Sequence, residues 1–184
     1  MKTHSFLLAV IVALLTLIPD AGFGDEKSYF EMGVGAGADL QGMAAKQLIL
    51  TPAFNMPISS CESLRARIEG DFELYEYTGK SGYPGKTSFV GGIAPFLRLL
   101  PFRWNVNPFV EIGVGANLQT NRNIGNHRIG GPFMFSLMSG AGIEMIINKT
   151  PISLSYRLRH LSNADIYDNN EGLNSQYIIL SIGL

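Results

Sequence analysis

Cysteine is almost absent. Cys61 is the only one in 184 residues, which excludes an internal disulfide framework and any metal site built from several thiolates. Charge is sparse too: Asp, Glu, Lys and Arg make up 16% of the chain, and 14 cations nearly balance 15 anions. No basic excess is therefore available to neutralise phosphates, so nucleic acid is not an expected partner. Long apolar runs are missing beyond residue 24, and without about 20 consecutive apolar residues no helix can cross a bilayer. Disorder is excluded from the other side, because a chain that is 46% hydrophobic can bury a core.

What is present begins with an address. Lys2 precedes an apolar run from Phe6 to Ile18, followed by Pro19 and the small residues around Gly22-Phe23-Gly24. The run is too short to span and has the form of a secretory signal peptide. The expected division is a cleaved segment, 1–24, and a single domain, 25–184. No cysteine follows the cut to carry a lipid anchor. The exported chain can enter a membrane only as strands.

The period of the remaining 160 residues is two. Phe30, Met32, Val34, Ala36 and Ala38 alternate with Glu31, Gly33, Gly35, Gly37 and Asp39, as along a strand. Between 62 and 76, Leu64, Ala66, Ile68, Phe72 and Leu74 alternate with Arg65, Arg67, Glu69, Asp71 and Glu73. The same alternation marks 109–120, 133–147, 152–159 and 177–184. Two weaker strands at about 45–56 and 86–99 contain Pro52 and Pro95, residues that disfavour strand interiors. Eight strands result.

Eight strands with one apolar and one polar face can close with either face outward, and the charged face decides between the two. Arg65, Arg67, Glu69, Asp71, Glu73, Glu111, Glu144, Arg157 and Arg159 can neutralise one another inside a small barrel, as buried charges must. Inward glycines leave room in the narrow lumen. The apolar faces then meet lipid. The expected fold is all-β, an eight-stranded antiparallel transmembrane barrel of the outer-membrane type, with the longer loops 77–86, 121–131 and 161–175 external. Tyr29, Tyr75, Tyr77, Trp104 and Phe109 lie near strand ends, where an interfacial girdle would place them.

One strand is chemically unusual. The outward set Ile152, Leu154, Tyr156, Leu158 continues with the same parity into His160 and Ser162. Polar groups on a lipid face are costly and ask for a reason. With Cα atoms about 6.6 Å apart and both side chains on one face, a histidine and a serine can act as base and nucleophile. The pattern alone is common by chance and favours a strand that stops at Arg159, leaving His160 in a loop.

The segment Arg159-His160-Leu161-Ser162-Asn163-Ala164, followed by Asn169-Asn170-Glu171-Gly172-Leu173-Asn174-Ser175, resembles the signature of the lipid A 3-O-deacylases, outer-membrane esterases of eight-stranded barrel fold. Pro108-Phe109-Val110-Glu111-Ile112-Gly113-Val114-Gly115 and Ser139-Gly140-Ala141-Gly142-Ile143 are similar to that family's fifth and sixth strands. The likeness covers about residues 107–184. It implies His160 as base, Ser162 as nucleophile, and Asn163, with the loop residue Asn170, beside the oxyanion. The implied substrate is lipid A of lipopolysaccharide, held in the outer membrane, with no metal or cofactor required. A homodimer is compatible with the pattern.

The chain departs from the resemblance at one point. Where the family places a glutamate to orient the histidine, fourteen residues after it, this chain has Asn174. Asparagine can fix an imidazole tautomer but supplies no charge to the imidazolium. Glu171 is the nearest carboxylate and the alternative acid, although a solvated loop charge is the favoured reading of it. His127 reads as a surface residue. Arg122 and Arg128 could meet lipid phosphates, and Asp165 and Asp168 could meet a divalent cation, with unspecific spacing in both cases. The rival to the esterase is a non-catalytic barrel that serves as envelope structure or adhesin.

Overall fold

A computed structural model describes residues 28–41, 45–58, 63–77, 87–102, 105–124 and 127–184. The segment 1–24, Cys61 and Trp104 lie outside them. Ten strands follow in order: β1 (Tyr29–Asp39), β2 (Ala45–Pro57), β3 (Leu64–Tyr77), β4 (Thr87–Leu99), β5 (Val106–Gln119), β6 (Asn123–Ile124), β7 (His127–Arg128), β8 (Phe133–Ile147), β9 (Thr150–Ser162) and β10 (Leu173–Gly183). Eight close into an antiparallel barrel in the order β1-β10-β9-β8-β5-β4-β3-β2, and β6 with β7 forms a short hairpin on its own.

The two proline-bearing strands run through. Opposite Pro52 the β2–β3 ladder passes from Leu50↔Phe72 to Ala53↔Glu69, and opposite Pro95 the β4–β5 ladder passes from Ile93↔Ala116 to Phe96↔Gly113. Proline has no N–H to give a ladder, and the pairing resumes on either side. Between β8 and β9, Asn148 and Lys149 both have positive φ and join Ile147↔Thr150, a two-residue type I′ hairpin whose twist suits its strands. This turn lies at one end of the barrel and the three longest connections, 78–86, 120–132 and 163–172, lie at the other, which by the habit of such barrels is the external end.

Alternation sends Phe30, Val34, Leu118 and Ile178 outward, each about 60% or more exposed, while the charges turn inward. Every lumen charge expected from the alternation is buried. Arg65 meets Glu144 at 2.6 Å, Arg67 meets Glu69 at 2.7 Å and also Glu31, and Arg157 bridges Glu69 at 2.5 Å and Glu111 at 2.8 Å. Arg159 pairs with Glu73. Arg98, on the strand weakened by Pro95, completes the lattice by meeting Glu111 at 2.9 Å. Tyr29, Tyr75 and Phe109 do not form an interfacial girdle: all three turn to the lumen, where the Tyr29 hydroxyl donates to Glu144 at 3.4 Å and accepts from Arg65 at 3.3 Å, Tyr75 is bonded to Glu73, and the Phe109 ring lies 4.1 Å from the Arg98 guanidinium. Their odd-numbered parity, shared with the charges, outweighs their nearness to strand ends. Above the charges, Tyr75, Val90, Met134, Leu161 and Leu173 form an apolar cluster with Ile124 and Ile129 of the hairpin region.

Arg157→Leu leaves Glu69 and Glu111 buried without their shared partner, so a loss of about 3–5 kcal/mol is expected. Urea unfolding in detergent, followed by heat-modifiable gel mobility, measures it.

Candidate active site

β9 extends through Ser162, so the strand does not stop at Arg159. Leu154, Tyr156, Leu158 and His160 are exposed on its lipid-facing side, and Ser162 is half-buried at its end. Across the ladder, Asn174 of β10 lies directly opposite His160. The main chain of Asn174 points the other way: its carbonyl accepts from the Leu40 N–H at 2.9 Å, and its N–H donates to Gln41 Oε1 at 3.3 Å. A residue's N–H and C=O leave an antiparallel strand on the same side, so His160 and Asn174 form a non-hydrogen-bonded pair, where opposing side chains come closest. His160 Nδ1 is 2.8 Å from Asn174 Oδ1. An amide oxygen can only accept, so this contact puts the proton on Nδ1 and leaves the Nε2 lone pair free.

The other flank is apolar. Leu137 of β8 stands opposite His160, and Phe135 stands opposite Ser162. Gly172, with φ +65°, lies against the imidazole, where an added Cβ would sit 3.0 Å from His160 Cε1. Glycine adopts this left-handed backbone at little cost, and the close approach leaves the ring its place.

Beyond Ser162 the chain turns sharply. Ala164 and Asp165 both have positive φ, and the Ile166 N–H donates to the Asn163 carbonyl at 3.1 Å, which makes a type I′ turn. Asn163 is fully buried. Its side-chain amide donates to the carbonyls of Ile129 at 2.5 Å and Asn169 at 2.9 Å, and its main-chain N–H donates to Asn170 Oδ1 at 3.0 Å. Asn170 Nδ2 in turn donates to Asp165 Oδ1 at 2.9 Å. Asn163 and Asn170 thus sit beside Ser162, with their amide nitrogens committed to the surrounding loops. The main-chain N–H groups of Ala164 and Asp165 have no acceptor among the described residues.

Glu171 is directed away from His160. Its Oε2 accepts from the Arg128 N–H at 2.9 Å and lies 3.8 Å from His127 Nδ1, while its own N–H donates to the Arg128 carbonyl at 3.2 Å. It latches loop 163–172 to the β6–β7 hairpin. Arg122 and Arg128 are exposed in the β5–β8 connection that carries this hairpin, and Asp168 is exposed in loop 163–172. Among the described residues no group of three or more His, Cys, Asp or Glu is placed to hold a metal ion. Because Glu171 is about half exposed, Glu171→Ala is expected to change the rate of the ester hydrolysis that the resemblance implies by no more than about threefold and to speed protease cleavage of loop 163–172. Rate and limited proteolysis on one preparation test both.

The structure therefore gathers His160, Ser162, Asn163, Asn170 and Asn174 at one end of β9 and leaves Glu171 outside. Two further members had no role assigned from the sequence: Gln41 belongs to no motif, and Gly172 stands within the signature segment without a stated part. A glycine between Glu171 and Leu173 signals a positive φ at best, and nothing local links the first external turn to β10.

A model of the family described as lipid A 3-O-deacylase (PagL) matches residues 50–182. The crystal structure of the outer membrane enzyme PagL superposes with a TM-score of 0.67 at 19% identity, covering 84% of this chain and 99% of that one. The crystal structure of Neisserial surface protein A (NspA) gives 0.55 at 13% identity, covering 85% and 94%. At these identities the superpositions speak for the fold. No curated protein sequence matches the chain.

Proposed function

The chain belongs to the lipid A 3-O-deacylase family, matched over most of its length, and from that premise we propose that it is a serine esterase working from the lipid-facing wall of its barrel. Lipid A 3-O-deacylases are ester hydrolases of the outer membrane, and this barrel has the apolar exterior that location requires. The observation that carries the finer reading is the 2.8 Å contact of His160 Nδ1 with Asn174 Oδ1, two residues from Ser162 on the same outward face.

In this mechanism Nε2 of His160 takes the Ser162 hydroxyl proton as Oγ attacks the ester carbonyl. The tetrahedral oxyanion takes donors from the main-chain N–H groups of the turn after Ser162, which Asn163 and Asn170 hold in place. Collapse breaks the bond to the sugar oxygen, which receives the proton from His160, and leaves the acyl group on Ser162. Water attacks that ester with His160 again as base, releases the fatty acid and restores Ser162. Leu137, Phe135 and Leu158 supply the apolar wall along which an acyl chain lies, so substrate enters laterally from the outer leaflet and the lumen takes no part.

Mass spectrometry of lipid A from cells with and without the protein is the direct test. Loss of one ester-linked hydroxyacyl mass is expected. An unchanged lipid A pattern would instead favour the non-catalytic envelope barrel or adhesin.

A further inference from the structure

We infer that Gln41, in the first external turn, is a positioning residue for the reaction: it holds the main chain of Asn174 and thereby the imidazole of His160. The inference rests on the reading of Asn174 as the residue that orients His160, and deepens it. β1 and β10 form the seam at which the barrel closes, and their regular pairing ends at Asp39↔Ser175. One step further out, the Leu40 N–H still bonds the Asn174 carbonyl at 2.9 Å. The next partner, for the Asn174 N–H, comes from a side chain: Gln41 Oε1 accepts it at 3.3 Å. An amide side chain therefore finishes the ladder at the residue whose own side chain faces His160 Nδ1.

The position gives this bond leverage. Asn174 is the second residue of β10, at a strand end where ladders fray. Its Oδ1 must stay within about 3 Å of Nδ1 for the histidine to keep one tautomer and one orientation. On the His160 side the ladder gives Asn174 no main-chain bond, because the two form a non-hydrogen-bonded pair. Both main-chain bonds of Asn174 therefore run to the first turn, through Leu40 and Gln41. Without the Gln41 acceptor, the end of β10 opens more often, and each opening takes Oδ1 from the imidazole. The lost quantity is the fraction of time the pair is assembled. That lowers kcat and leaves substrate binding on the apolar wall untouched.

Gln41→Ala, Gln41→Glu, Asn174→Ala and the double variant Gln41→Ala/Asn174→Ala, refolded as full chains in detergent, are assayed on lipid A. Gln41→Ala is expected to lower kcat about 3- to 10-fold with KM within about twofold and heat-modifiable mobility unchanged. Gln41→Glu, which keeps an acceptor in place, is expected to restore the rate. In the Asn174→Ala background, Gln41→Ala is expected to add nothing, since both act through one contact. Nitrogen and proton NMR of the His160 ring reads the same contact without turnover, and Gln41→Ala should broaden the Hδ1 resonance. A rate loss that multiplies with that of Asn174→Ala, a change in KM alone, or no rescue by Gln41→Glu would overturn the inference. The two readings fail differently. An active Ser162→Ala together with a broadened Hδ1 signal in Gln41→Ala sinks the serine mechanism and keeps the positioning role. An inactive Ser162→Ala with Hδ1 and rate unmoved by Gln41→Ala does the reverse.

Discussion

Ser162→Ala is expected to lower deacylation by about 10⁴-fold or more, and His160→Asn by a similar factor, because a nucleophile and its base act as one unit and removing either removes the covalent route. Assembly should survive both changes. His160 is on the outward face and Ser162 is half-buried at the strand end, while the ion-pair lattice that fills the lumen draws on other residues of β9, Arg157 and Arg159. Release of hydroxy fatty acid from lipid A in detergent gives the rate, and heat-modifiable gel mobility reports the closed barrel on the same preparation. Full activity in Ser162→Ala would remove the serine mechanism altogether.

The second large effect concerns Asn174. Asn174→Leu removes the acceptor for Nδ1–H, and a loss of about 10²- to 10³-fold in kcat is expected. That is less than the roughly 10⁴-fold seen when a charged orienting residue is neutralised in a Ser-His-Asp triad, because no charge is lost here. Asn174→Asp keeps the shape and places a negative charge 2.8 Å from the imidazole, which stabilises the imidazolium formed during attack. A gain of about 5- to 30-fold is expected, corresponding to about 1–2 kcal/mol in the barrier. Asn174→Glu should help less, since the amide already reaches Nδ1 and an extra methylene must fold back. Rates at saturating lipid A decide the order. If Glu171→Ala abolished activity while Asn174→Ala left it unchanged, Glu171 would be the third member and Asn174 would not.

Strand identity was readable because a barrel wall between lipid and a charged interior has to alternate. The run of Arg65, Arg67, Glu69, Asp71 and Glu73 shows one face as plainly as Phe72 and Leu74 show the other. Arg98 was hidden because Pro95 argued against its strand, and only the ladder resuming at Phe96↔Gly113 shows why the argument fails. For Tyr29, Tyr75 and Phe109, position near a strand end points to the interface while parity points to the lumen, and parity prevails. The pairing of His160 with Asn174 is harder still to read. Their separation in sequence says nothing about which residues face each other, since a one-residue slip of β10 would turn Asn174 into the lumen. The likeness to a family supplied that position, and local pattern did not. Gln41 had no signal of either kind, because its partner lies 133 residues away across a seam that exists only after closure.

The filled interior has a consequence for the envelope as a whole. Among the described residues, five guanidinium groups and six carboxylates are paired in the lumen, and the apolar cluster around Met134, Leu161 and Ile129 lies above them. An ion trying to pass would meet sites most of whose charges are already paired, then an apolar layer that cannot hydrate it. Along the described residues the interior is thus filled with side chains. Cells can carry many copies of such an enzyme, each reworking the leaflet around it, without opening a leak for salts or small toxic solutes.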